Sequence, residues 1–225
     1  MLVVADYARS MDDIWAEIPE PLAAQSRVCA YDRLGVGRSD PAPDRQTLAS
    51  MADDLGGVIT ALGMKRPVVV GHALGGAIVL TWASARTADA RALVLLDPMP
   101  PGYFGPGRAL EKALPPRDPG DLDLSNLWAD IDEVNDPVRN TESLDPASWT
   151  AYERLTAVSL PLYVAVEEAI PSWPASVDRD KVAATYREHV RRVLALSPRA
   201  EQVLVPTPDA WPTVLRSTVA RALQS

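Results

Sequence analysis

Apolar residues along this chain gather in short runs, and between the runs they recur at helical spacing. Runs at residues 2–5 (LVVA), 27–31 (RVCAY), 67–71 (PVVVG), 91–97 (RALVLLD), 161–166 (PLYVAV) and 202–206 (QVLVP) predict six strands. Most are rich in Val and Leu without polar alternation, the pattern of strands covered on both faces. Leu48, Met51, Leu55, Val58, Ile59 and Leu62 repeat at helical spacing, with Gly63 just beyond them as a stop signal. Val182, Tyr186, Val190 and Val193 make a second stripe, and residues 214–223 a terminal one. All three read as core faces of amphipathic helices. Strands alternating with helices predict an α/β fold, a mostly parallel sheet of about six strands with helices on both faces.

The alternation breaks between Pro98 and Leu160. Residues 98–124 are dense in Pro and Gly, which end helices and fix turns. WADIDEVNDPVRN and DPASWTAYERLTAV then read as two short amphipathic helices. The expected organisation is a core of residues 1–100 and 160–225, with residues 101–159 inserted as a helical lid over the C-terminal edge of the sheet. Insertions of that length in compact domains are usually functional or disordered.

Composition narrows the function classes. The 225 residues are 47% hydrophobic and carry a net charge of −8, which argues against nucleic acid and anionic membrane surfaces as partners. Cys29 stands alone, so no internal disulfide forms. No apolar run approaches the ~18 residues of a membrane span, and no basic leader follows Met1. A cytoplasmic location is the expectation. Lysine is scarce (Lys65, Lys112, Lys181) while Arg, Ala and Pro abound, a bias that suits a GC-rich genome such as an actinobacterium's.

VVVGHALGG outlines a strand, a sharp turn and a helix. It resembles the nucleophile elbow of the α/β-hydrolase fold. RVCAYDRLGVGRSDPAP resembles the strand and turn that precede the elbow in esterases, epoxide hydrolases and their relatives. RALVLLDPMPPGY resembles the next strand, and PLYVAVEE and SPRAEQVLVP the last two. The resemblance covers nearly the whole chain outside the lid. It implies a nucleophile at position 73, a histidine after the last strand, an acid, and an oxyanion hole built partly from the Leu74 N–H. Ala73 supplies no nucleophile, however, and VLVPTPDAWPTVL contains no histidine; Asp209 or Ala210 falls at its place. VVADYARSMDDIW stands where the family carries a glycine-rich run, with Tyr7 and Arg9 at positions usually filled by glycine.

The expectation is therefore a degenerate member of the fold without Ser-His-Asp hydrolysis. An engineered serine-to-alanine change at position 73 is an alternative that leaves the missing histidine unexplained. His72 is expected to point away from the nucleophile side into the core, and His189 to be structural or solvated. Asp32 is expected to pair with Arg38. Relative to the family, strands before residue 2 are missing, so Arg27 to Tyr31 becomes an apolar sheet edge that a homodimer partner or a second chain covers.

Candidate catalytic groups are Asp97, Tyr7, Arg9 and the Leu74 N–H. Tyr103, Trp211 and Glu167 are candidate substrate contacts, with Glu168 beside them. They suit a repurposed enzyme acting on a hydrophobic small molecule by cyclisation, carbon–carbon coupling, elimination or rearrangement; a place in bacterial natural-product biosynthesis is what the resemblance and the compositional bias imply. The alternatives are a catalytically inactive ligand-binding or partner subunit and a hydrolase using a carboxylate base. No cofactor is expected. No metal site is expected either, since the lid acids in DLDLSN and DIDEVND lack the spacing of a calcium loop.

Overall fold

The computed structural model describes residues 1–13, 20–86, 89–168 and 173–225. Ile14 and Trp15, which end the VVADYARSMDDIW segment, lie outside the described residues. Six strands form one sheet: β1 (Leu2–Val4), β2 (Cys29–Ala30), β3 (Val68–His72), β4 (Ala92–Leu96), β5 (Leu162–Glu167) and β6 (Ala200–Val205). Their order is β2-β1-β3-β4-β5-β6, and every pairing is parallel. The expected fold class holds.

Boundaries differ at the two edges for local reasons. β2 keeps two of the five expected residues, because the chain then turns to send Arg33 into the interior (4% exposed). β6 begins earlier than its apolar run, since Ala200 already pairs with Leu162. β2 is the edge strand beside β1, as the sequence implied.

The described helices are α1 (Glu20–Ala23), α2 (Leu48–Ala61), α3 (Leu74–Ala85), α4 (Ala109–Ala113), α5 (Leu122–Glu133), α6 (Ala147–Tyr152), α7 (Arg179–Leu194) and α8 (Trp211–Gln224). Thr47 and Ser50 form a capping box at the start of α2, and Gly63 takes the left-handed conformation just past its end. Helix α5 starts earlier than the sequence pattern suggests, because Asp121 caps it by accepting from the Leu124 N–H.

Strand alternation sorts the core onto the two sheet faces. Leu2, Val4, Val69, Leu93, Leu95 and Val164 pack against α2, α3 and α7. Met1, Val3, Val68, Val70, Ala92 and Val94 pack against Leu22 of α1 and Val219 and Ala222 of α8.

The 101–159 insertion divides in two. Its first half makes a satellite cluster in which Tyr103, Leu110, Leu124, Trp128 and Ile131 meet Val177 and Val182. Its second half belongs to the main core through Val134, Leu144, Trp149, Tyr152 and Val158, and Leu144 bridges to Gln46.

Candidate functional site

β3 runs into α3 through a turn with no room for side chains. A Cβ on Gly71 would lie 2.5 Å from the Gly75 carbonyl oxygen, and one on Gly75 would lie 2.2 Å from the Val4 carbonyl oxygen. Between them Ala73 sits at φ 44°, ψ −107°, a strained conformation for an L-residue. Its N–H donates to the Leu96 carbonyl (3.0 Å), and its carbonyl accepts from Met99 N–H (3.1 Å). The turn is thus fixed to β4 and to the chain leaving it.

Above Ala73 lies a cavity of about 710 Å³. Its floor carries Asp6, Ala73 and Asp97, at the C-terminal ends of β1, β3 and β4. Tyr103, Phe104 and Leu110 of the 101–159 segment and Val182 and Tyr186 of α7 supply apolar wall. Glu167 and Glu168 follow β5, and Arg187 is an exposed cation at the rim. No serine, cysteine or histidine is among the described residues that line it.

Asp97 also holds a positive φ of 37°. Its Oδ1 accepts from the Glu167 N–H at 3.0 Å. Burial pushes its carboxyl up to about 6. The Glu167 N–H and nearby His72 oppose that rise, and the Glu167 carboxylate adds to it. Tyr186 donates to the Pro98 carbonyl (2.9 Å) and Tyr152 to that of Met99 (2.9 Å), which fixes the segment after Asp97. Burial raises both phenols far above their usual range, so they serve as neutral donors.

The loop after β1 is knotted by charge. The Leu74 N–H donates to Asp6 Oδ1 at 3.2 Å, and the Tyr7 N–H donates to the same oxygen at 2.6 Å. Arg33 donates to the Ala5 carbonyl (2.8 Å) and the Asp6 carbonyl (2.7 Å). It also forms a buried two-pronged pair with Glu142, whose second oxygen accepts the Ala8 N–H at 2.8 Å. This pair joins the 101–159 segment to the loop. Sequence reading missed it, because the partners are 109 residues apart.

The structure brings Asp97, Glu167, Tyr103 and Ala73 together and leaves other candidates elsewhere. Tyr7 turns its hydroxyl toward the Glu133 carbonyl (3.4 Å) and does not line the cavity. Arg9 and Trp211 line a separate cavity of about 490 Å³ under α8, with His72 and Asp6. Asp209 and Ala210 form a 3-10 turn with Pro208, and neither lines the cavity above Ala73.

His72 points away from Ala73 but is half-buried and lines that second cavity under α8, so it is not the packed core residue expected. His189 is buried, with Nδ1 2.8 Å from the Thr185 carbonyl oxygen. The expected Asp32–Arg38 side-chain pair does not form. Asp32 accepts the backbone N–H groups of Arg38 (3.0 Å) and Met11 (2.7 Å), while the Arg38 guanidinium turns outward to Asp12 (2.7 Å). A turn this tight brings the Arg38 main chain, not its long side chain, to the carboxylate.

Among the described residues no helix is long and apolar enough to cross a membrane, and no group of three or more His, Cys, Asp or Glu is arranged to hold a metal ion.

Comparison with known proteins agrees with this fold. "Putative carbamate hydrolase RutD" of Caulobacter vibrioides is 48% identical over 63 residues, 28% of this chain and 23% of that protein. The protein of that name from Cronobacter turicensis is 34% identical over 98 residues, 43% of this chain and 37% of its own length. The chain thus spans well under half the length of the curated relatives it matches.

Among solved structures, the monoacylglycerol lipase of Paleococcus ferrophilus superposes with a TM-score of 0.65 at 16% identity, covering 100% of this chain and 94% of that one. A thermophilic esterase from Thermogutta terrifontis gives 0.60 at 19% identity, covering 99% and 88%. At such identities the likeness is one of fold. The profile of the alpha/beta hydrolase fold matches residues 10–143, more than half of the sequence, and this chain belongs to that family.

Proposed function

We propose that this chain uses the hydrolase scaffold without an acyl-enzyme step, taking a small, largely apolar molecule above Ala73 and moving a proton with Asp97. The observation that carries this reading is the setting of Asp97. It lies on the floor of a cavity with apolar walls, in a strained conformation, with one oxygen fixed by the Glu167 N–H. Strained residues gather at functional sites, and a carboxyl near 6 suits a general base at neutral pH. Ala73 offers no atom for covalent catalysis. Elimination, cyclisation, carbon–carbon coupling or rearrangement of a bacterial natural product all fit such a base.

The test is a reaction that needs only a carboxylate in an apolar pocket, such as ring opening of 5-nitrobenzisoxazole. The base removes the ring C–H proton, the N–O bond breaks, and a cyanophenolate leaves. The rate is expected to exceed that of equimolar acetate, to rise through pH 6 as Asp97 ionises, and to fall to background in Asp97→Asn. A rate unchanged in Asp97→Asn sinks the proposal.

The curated relatives favour a second reading, in which Asp97 activates water against a carbamate or ester. Hydrolysis of p-nitrophenyl esters or aryl carbamates that disappears in Asp97→Asn would select it. The apolar Arg27 to Tyr31 edge remains our proposed contact for a second copy. A doubled mass in light scattering is expected, and a monomeric one removes it.

A further inference from the structure

We infer that Asp6 determines which ligand group is accepted over Ala73: the site takes hydrogen-bond donors and refuses carbonyl oxygens and carboxylates. The Leu74 N–H is the first backbone donor of α3, a twelve-residue helix whose N-terminus carries positive dipole and has no cap from Ala73 itself. An acyl oxygen or carboxylate would bind at such a donor. The position is already taken by a carboxylate of the chain. Asp6 Oδ1 accepts from Leu74 at 3.2 Å and from Tyr7 at 2.6 Å, and Asp6 lines the same cavity as Ala73.

The filling is held from behind. Arg33 grips the Ala5 and Asp6 carbonyls, and Glu142 takes both the guanidinium and the Ala8 N–H. Asp6 therefore cannot leave by a simple shift of its loop. A spot that would offer N–H donors presents an acceptor with negative charge instead. A hydroxyl, amine or amide N–H meets a partner there, whereas an incoming oxyanion meets a filled position and a like charge. The inference concerns the cavity of the proposed reaction but stands on Asp6 alone. Its test reads binding, so an inactive Asp97 leaves it untouched.

The experiment compares hexylamine with hexanoate, which share an apolar body, by titration into the wild type, Asp6→Ala and Asp6→Asn. Hexanoate is expected to bind the wild type at least tenfold more weakly than it binds Asp6→Ala, the factor corresponding to one hydrogen bond to a charged group. Hexylamine should lose affinity in Asp6→Ala. The Asp6→Asn side chain keeps an oxygen for the Leu74 and Tyr7 N–H groups, so hexanoate should stay excluded in that variant.

Equal gains in Asp6→Ala and Asp6→Asn would show charge repulsion alone and overturn the occupancy. A loss of thermal stability in Asp6→Ala with no gain for hexanoate would reduce Asp6 to a helix cap and also overturn it. If Asp6→Ala does not fold, amide NMR of the wild type decides. Saturating hexanoate must leave the Leu74 and Tyr7 N–H resonances in place, and a shift in both refutes the inference.

Discussion

The turn at residues 71–76 and the loop at residues 5–9 meet at one cavity floor, and they are held there by opposite means. The turn is kept by absence. Gly71 and Gly75 lack the Cβ that would strike the Gly75 and Val4 carbonyls, and Ala73 tolerates φ 44° because Leu96 of β4 and Met99 just beyond it fix both its backbone groups. The loop is kept by presence. Two carboxylates and a guanidinium, Asp6, Glu142 and Arg33, satisfy its main chain. The turn follows from the geometry of a strand entering a helix, so it persists whatever residue stands at 73. The loop follows from side-chain chemistry, and so it can be rewritten.

Four substitutions press on that contrast, in decreasing order of expected effect. Glu142→Ala leaves Arg33 buried without its counterion and should lower unfolding free energy by about 3–5 kcal/mol. Arg33→Met combined with Glu142→Leu should recover most of this in chemical denaturation. If the double variant is as weak as the single, the loop is held by something other than the pair. Gly75→Ala drives a Cβ into two carbonyl oxygens of β1's end and should cost about 3 kcal/mol, read as a fall in Tm. A Tm within a degree of wild type would mean that the turn is not held by lack of space.

Asp97→Asn tests the floor that both regions share. Its carboxyl is raised from 3.8 to about 6 on folding, so the native chain holds that proton more tightly than the unfolded chain. Stability from this group is complete below pH 3.8 and declines as pH rises through about 6. The variant should therefore be more stable than wild type by about 1–3 kcal/mol at pH 8, with the gain vanishing near pH 4. A gain independent of pH would assign it to packing. Last, Ala73→Gly relieves strain of about 1–3 kcal/mol against about 0.4–1 kcal/mol of added unfolded-state entropy. Tm should rise slightly; a fall would show that Ala73 is unstrained.

What is legible in the sequence divides along the same line. All six strands, their parallel character and the reason for the elbow glycines follow from apolar runs and local turn chemistry. So does the placing of Asp97 and Glu167 at adjacent strand ends. Residues 101–159 read in the sequence as one unit, since nothing local says that Trp149 joins the main core while Trp128 stays with the satellite cluster. Trp211 follows the last strand and so reads as a wall over Ala73. The 3-10 turn at Pro208–Ala210 carries it to the other sheet face instead. The role of Asp6 is hidden because neither of its two N–H donors shows in a pattern of side chains. For Arg33, the turn glycines around it suggest a structural job, but its partner 109 residues away stays hidden.

That distance also bears on the order in which the molecule is completed. A chain emerging from synthesis has β1 to β4 available by residue 96, and their contacts with α2 and α3 span modest separations. Arg33 must still wait for residue 142 before its charge can be sealed. Until then the guanidinium has reason to remain in water, and the Ala5 carbonyl and Ala8 N–H lack the partners that the pair supplies. Strands β1 to β4 and the elbow can therefore mature early, whereas the loop after β1 is finished only when Glu142 arrives. In pulse-labelling hydrogen exchange during refolding, protection at Ala8 should appear after protection at Val69 and Val94, separated by the time Glu142 takes to reach Arg33.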